Sequence, residues 1–187
     1  MEKYEREYTL FSLCGLNCGL CPNHYTNGTS RCPGCGGENF FNPSCGIVSC
    51  AKRNGGLQYC FLCGEYPCKK YEGADAFDSF ISHRNQMSDN ERARILGLDE
   101  YKAQLNEKVE ILKVLLDSYN DGRKKSFFCL AVNLLELPDI RQVLAALNER
   151  AAPETLAVKE RAAIAESLFK AMAQERSISL KLQKKTR

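Results

Sequence analysis

The chain has 187 residues, 44% apolar and 26% charged, with a formal net charge of +3. That length allows one domain or a small pair and no large multidomain machine. No run of about 18 uninterrupted apolar residues occurs, which excludes a membrane-spanning helix from the sequence reading.

The chain changes character near Gly73. Eleven of the 13 glycines and four of the six prolines precede residue 74, whereas 15 of the 16 alanines lie from Ala74 onward. The sequence therefore predicts a cysteine-rich metal-binding segment over 1–73 and a helical region over 74–187. A loop-rich segment of this size, short of aliphatic side chains, needs a metal or disulfides to hold one structure. The opening Met-Glu-Lys-Tyr-Glu-Arg-Glu lacks the charged-then-apolar pattern of a secretory signal. The expected compartment is cytoplasmic and reducing, where clustered cysteines serve as metal ligands rather than disulfides.

Ten of the 11 cysteines fall in the first segment, spaced Cys14-x3-Cys18-x2-Cys21, Cys32-x2-Cys35, Cys45-x4-Cys50 and Cys60-x2-Cys63-x4-Cys68. Two residues between thiolates let both sulfurs reach one ion at about 2.3 Å, so all ten are candidate metal ligands. Gly36 and Gly64 follow two of the pairs, where a positive backbone angle would turn N–H groups toward sulfur. Zinc in an all-thiolate site takes four ligands, so two ions use eight of the ten cysteines. Local closure suggests one site from Cys32, Cys35, Cys45 and Cys50. The other would take Cys18, Cys21, Cys60 and Cys63, with Cys14 and Cys68 as alternates or all six serving a cluster. Loop-closure cost rises too slowly with length to fix that partition. His24 is a further candidate ligand, read first as a plain loop histidine.

Cys14, Cys18 and Cys21 with a remote cysteine also form a common pattern for a [4Fe–4S] cluster, the alternative cofactor. Their spacing matches that of radical S-adenosylmethionine enzymes, but the strand-helix repeats of that fold are missing from the sequence.

The second region reads as helices. Ser88-Asp-Asn-Glu91 has capping-box form, and Gly97 ends the short helix it opens. Tyr101, Leu105, Val109, Leu112, Leu116 and Tyr119 recur at helical spacing on one face, closed by Asp121-Gly122. The apolar run Ser126 to Leu135 predicts a central buried helix. Pro138 starts another helix through about Glu149, and Pro153 opens the last, with Ile164, Leu168 and Met172 on one side. Lys181, Lys184, Lys185 and Arg187 read as the solvated end of that helix.

The run Cys14-Gly-Leu-Asn-Cys18-Gly-Leu-Cys21-Pro, followed by Cys32-Pro-Gly-Cys35, Cys45 to Cys50 and Cys60-Phe-Leu-Cys63-Gly-Glu-Tyr-Pro-Cys68, resembles the family called domain of unknown function 3795. The resemblance covers roughly residues 8–72. Asp121-Gly-Arg123-Lys-Lys-Ser-Phe-Phe-Cys129-Leu-Ala-Val looks like part of a helical extension found in longer members. The resemblance implies zinc binding and no established activity.

Nucleic-acid binding is disfavoured by charge. Residues 1–73 carry a formal +1, which eight thiolates and two zinc ions convert to about −3, the wrong sign for a phosphate-binding surface. Tyr59, Phe61, Tyr66 and Tyr71 are expected to cover the metal core rather than stack bases. No G-x-S-x-G, H-E-x-x-H or phosphate-cradling loop occurs, and all-cysteine zinc sites are usually closed. Cys129, with Arg123, Lys124 and Lys125 upstream, could be a reactive thiol but reads first as a small buried hydrophobe.

The sequence thus predicts a mainly α protein, with an irregular cysteine-rich metal-organised N-terminal segment packed on a helical C-terminal region. The expected function is a structural-zinc binding or interaction module with about two four-cysteine sites and a protein or small-molecule partner the sequence does not name. An iron-sulfur redox protein using Cys14, Cys18, Cys21 and a remote cysteine is the alternative. No catalytic motif assigns an enzyme activity.

Overall fold

A computed structural model describes residues 4–38, 40, 45–152, 154 and 156–185. These residues form six α-helices and no strand, so the protein is mainly α. The first 73 residues are a chain of short 3-10 turns, Cys18–Leu20, Pro22–Tyr25, Gly28–Ser30, Cys60–Leu62 and Lys69–Tyr71, interrupted by one helix, α1 (Gly46–Arg53). Helix α1 is a structural addition to the sequence reading, because it buries only Val48 and Ala51, too few positions to show a period. Those two residues and Leu13 form a small core flanked by Cys35, Cys45 and Cys60. The segment is as poor in aliphatic core as its composition suggests.

Helix α2 (Gln86–Leu96) begins two residues before the expected cap. Ser88 lies inside its first turn and donates its hydroxyl to the Asn85 carbonyl at 3.0 Å, so the capping box does not form. Gly97 does end the helix, at φ +89°, and α3 (Leu98–Ser118) starts directly after it. Of the six residues assigned to one face of α3, Tyr101, Leu105, Val109, Leu112 and Tyr119 are buried and Leu116 packs against them. The face is wider than the spacing suggests, since Lys108, Ile111 and Leu115 are buried too.

Helix α4 (Lys125–Leu134) is the central buried helix, with every residue from Phe128 to Leu134 in the interior. Helix α5 (Leu137–Arg150) carries Pro138 in its first turn, where a missing N–H costs nothing. Pro153 lies outside the described residues. Helix α6 (Val158–Glu175) begins later than expected, with the Glu160 carboxylate accepting from the Ala157 N–H at 3.2 Å. Its buried face is Ala162, Ala165, Phe169 and Ala173. Ile164, Leu168 and Met172 flank that face and are only partly buried.

The basic tail corrects the sequence reading. It is not a helix end: α6 stops at Glu175, Ser177 turns the chain at φ +56°, and residues 178–185 continue as a strap without helical structure. Arg84 donates to the carbonyls of Ser179 at 2.8 Å and Lys181 at 3.1 Å. The Asp78 N–H donates to the Gln183 carbonyl at 2.8 Å, and its carboxylate accepts from the Gln183 N–H at 2.8 Å. Arg187 lies outside the described residues. No helix among the described residues is long and apolar enough to cross a membrane.

The cysteine-rich segment packs on the helices through apolar and polar contacts. Phe11, Leu20 and Tyr59 enter the main helical core. Asn17, buried at 4% exposure, joins three helices: its amide donates to Asp89 of α2 at 2.8 Å and Asn133 of α4 at 3.1 Å, and its oxygen accepts from Tyr101 of α3 at 2.8 Å. Gln86 and Asn90 of α2 donate to the Cys14 carbonyl at 3.0 and 2.9 Å. Gly15 makes this approach possible. It adopts φ +96°, and a Cβ there would lie 2.4 Å from the Gln86 carbonyl oxygen.

Candidate metal centre

Two of the C-x2-C pairs fold identically. Cys18–Leu20 and Cys60–Leu62 are single 3-10 turns opened by a cysteine. The closing cysteine in each, Cys21 or Cys63, lies at φ −81° or −80° and ψ 135° and donates its N–H to the carbonyl of the opening one. The bonds are 3.1 and 2.9 Å long. The third pair spans Cys32-Pro-Gly-Cys35, where Gly34 takes φ +97° and a Cβ would strike the Thr9 carbonyl at 2.2 Å. Gly36 has the expected positive angle, +80°, whereas Gly64 is not among the glycines with positive φ. The glycine after Cys63 is therefore not required by backbone angle.

The fold groups the thiols differently from their sequence spacing. Cys50, Cys60, Cys63 and Cys68 line one cavity of about 40 Å³, with Tyr66 and Tyr71 in its wall. Burial pushes the Cys60 thiol up to about 12, and the Tyr71 hydroxyl beside it acts in the opposite direction. Cys35, Cys45 and Cys60 pack around Leu13, Val48 and Ala51. Burial raises Cys14, Cys18 and Cys35. Cys35 and Cys45 raise Cys14 further, Cys35 and Cys14 raise Cys18, and Cys45 raises Cys35.

The Leu16 N–H beside Cys14 donates to the Ser12 hydroxyl at 2.7 Å. Ser12 Oγ lies 3.2 Å from Cys14 Sγ. Cys32 lies beside the turn that follows Cys21, its N–H donating to the Asn23 carbonyl at 2.9 Å. His24 beside them has Nδ1 3.0 Å from the Cys32 carbonyl and Nε2 3.5 Å from the Arg31 guanidinium. Both ring nitrogens therefore have protein partners.

Of the four aromatics in this region, Tyr59 and Tyr71 are buried and Phe61 and Tyr66 are half-buried. Tyr59 is 4% exposed and stacks between Phe11 and Phe61 at 5.6 and 5.3 Å. Tyr71 is 5% exposed, donates its hydroxyl to the Cys14 carbonyl at 3.1 Å, and meets Tyr66 edge-on at 5.1 Å. Cys129 is 1% exposed in α4, and burial pushes its thiol up to about 12, which suits a small core residue.

Among the described residues no three Cys, His, Asp or Glu side chains are grouped closely enough to hold a metal ion as they stand. What fits a metal is the donor chemistry: four thiols around one cavity and no carboxylate in its lining. Thiolate ligation requires loss of the thiol protons, which burial alone opposes and a bound cation favours.

Two residues at the centre were not singled out from the sequence. Asn17 lies inside the Cys14-x3-Cys18 spacer, where it reads as a loop residue, and Arg6 lies upstream of every cysteine. Neither has a spacing signal. No curated protein and no solved structure matches the chain. One family model does, over residues 10–73, and its description is protein of unknown function (DUF3795). The cysteine-rich segment, residues 10–73, is thus the part of the chain that is similar to the DUF3795 family.

Proposed function

We propose that the cysteine-rich segment is a metal-binding module that takes about two zinc ions through thiolates, one of them at Cys50, Cys60, Cys63 and Cys68. The observation that carries this reading is the meeting of those four cysteines, from α1, one C-x2-C turn and the following loop, around a single small cavity. Zinc would supply cross-links that a three-residue aliphatic core does not. The chain itself supplies the turns that present paired sulfurs, the Tyr71 hydroxyl beside Cys60, and a scaffold that fixes the Cys14 carbonyl through Gln86 and Asn90. With thiolates filling each coordination shell, the role is structural, holding a surface in shape for a partner.

Metal and sulfide analysis of protein purified without oxygen tests this. About two zinc ions per chain and a colourless solution are expected. A brown sample with about four irons and four sulfides would replace zinc with an iron-sulfur cluster. Strong chelation should make residues 8–72 protease-sensitive while the helices from about residue 74 keep most of their helicity. If the segment stayed protease-resistant after chelation, the structural role would fail.

A further inference from the structure

We propose that the cavity between the first cysteine turn, α4 and the C-terminal strap is a binding site for a small neutral molecule with a ring-sized apolar body and a carbonyl oxygen. Among the described residues none of the ten candidate metal ligands lines it, so the inference does not rest on the metal-binding reading.

The cavity has a volume of about 230 Å³. An apolar cavity of about 150 Å³ already holds a benzene-sized molecule, so this one has room for a ring and a small polar substituent. One face of α4 supplies Ser126, Cys129, Leu130 and Asn133, at the i, i+3, i+4, i+7 spacing that sets side chains along one side of a helix. Leu20 from the turn at Cys18–Leu20 and Ile81 from the loop before α2 complete an apolar interior. The site thus lies where the cysteine-rich segment meets the helices, and such junctions are where ligand pockets favour forming.

What points to a ligand is Asn133. It is 2% exposed, its side-chain oxygen accepts from Asn17 Nδ2 at 3.1 Å, and its backbone carbonyl accepts from Asn85 Nδ2 at 3.1 Å. Its own Nδ2 has no acceptor among the described residues. A buried amide N–H left unpaired is costly, and native structures normally answer it with an acceptor. Ser82, the other buried residue of the lining with a polar N or O in its side chain, is already committed: its hydroxyl donates to Asp78 at 3.1 Å and accepts from Arg84 Nε at 3.1 Å. The cavity therefore asks for an oxygen at Asn133 and for apolar contact around it. No charged residue is in its lining, so a carboxylate or an ammonium would be buried without a counter-charge, and a neutral carbonyl compound would not.

The mouth is already formed. Leu182 stands at its edge, and the strap is tied on either side of it, by Arg84 at the Lys181 carbonyl and by Asp78 at Gln183. Leu182 is 40% and Phe80 64% exposed. Both line the cavity, and a bound ring would cover apolar surface that now faces water.

Titration of benzamide into the full-length ¹⁵N-labelled protein, followed by amide NMR, tests the proposal, with toluene as the same ring lacking the oxygen. Benzamide should shift the Asn133 side-chain amide signal and saturate with a Kd of about 1 mM or tighter, the scale for a ligand of about nine non-hydrogen atoms. Toluene should bind about 3- to 10-fold more weakly, the worth of one net hydrogen bond. N133A should bring benzamide down to the toluene level. S126W alters an exposed position at the mouth, should fold as wild type does, and should abolish binding by filling the entrance. Absence of a saturable shift up to about 10 mM benzamide would overturn the proposal and leave a cavity that holds water only. Toluene binding as tightly as benzamide would overturn the role of Asn133, and wild-type binding by S126W would move the ligand to another place.

Discussion

The turns at Cys18–Leu20 and Cys60–Leu62 have the same backbone and different surroundings. In the first, Leu20 is fully buried, and a Cβ on Gly19 would lie 2.9 Å from Val109 of α3. In the second, Leu62 is 57% exposed and the middle position is a phenylalanine. Local sequence makes the turn; the helices decide which copy becomes an anchor. The first is fixed to the bundle on three sides through Asn17, whereas the second presents its leucine to solvent.

Five measurements would sharpen or break this contrast. Leu20→Ala should lower unfolding stability in urea by about 2–5 kcal/mol, as for a buried leucine; a loss below about 1 kcal/mol would mean the first turn is not an anchor. Asp89, which holds Asn17, should give the next largest effect. Burial raises its carboxyl from 3.8 to about 6, against the opposing charge of Lys108. The folded state therefore holds this proton more tightly than the unfolded chain. The stability it contributes is fully present below about pH 3.8 and is lost as pH rises through about 6. A shift of about two units corresponds to about 3 kcal/mol. The stability of wild type relative to Asp89→Asn should fall by about that amount from pH 4 to pH 7, and a flat difference would count against a buried, protonated Asp89.

Gly19→Ala should cost about 1–3 kcal/mol by crowding Val109 and Leu10. Beneath the same turn, Cys129→Ala should cost about 1–2 kcal/mol and leave metal content unchanged. Loss of one metal equivalent would instead make Cys129 a ligand. At the second turn Leu62→Ala should change stability by less than about 0.5 kcal/mol, and a larger loss would show that its exposed leucine is covered.

Legibility followed the range of each signal. The α3 face and the α4 run were readable because burial repeats within a few residues, and Gly97 because its backbone angle excludes other residues. The ten cysteines stand out in the sequence by their spacing. Their grouping was not readable, since Cys50 shares a cavity with Cys60, Cys63 and Cys68 through a fold that sequence spacing does not encode. The capping box at Ser88 failed because tertiary contacts at Asn85 and Gln86 start the helix earlier. Arg6 and Asn17 act across 29 to 116 positions of chain, beyond any local pattern.

The strap at the C-terminus sets an order on synthesis. Arg84 and Asp78 meet their partners 95 to 105 residues later in the chain. At about 5–20 residues per second, that is roughly 5 to 20 s of translation. Asp78 also accepts from the His83 N–H and Ser82 hydroxyl in the loop that leads into α2, the helix that grips the Cys14 carbonyl. The thiols therefore leave the ribosome first and receive their finished scaffold last. During that interval the loop into α2 lacks the strap that locks it.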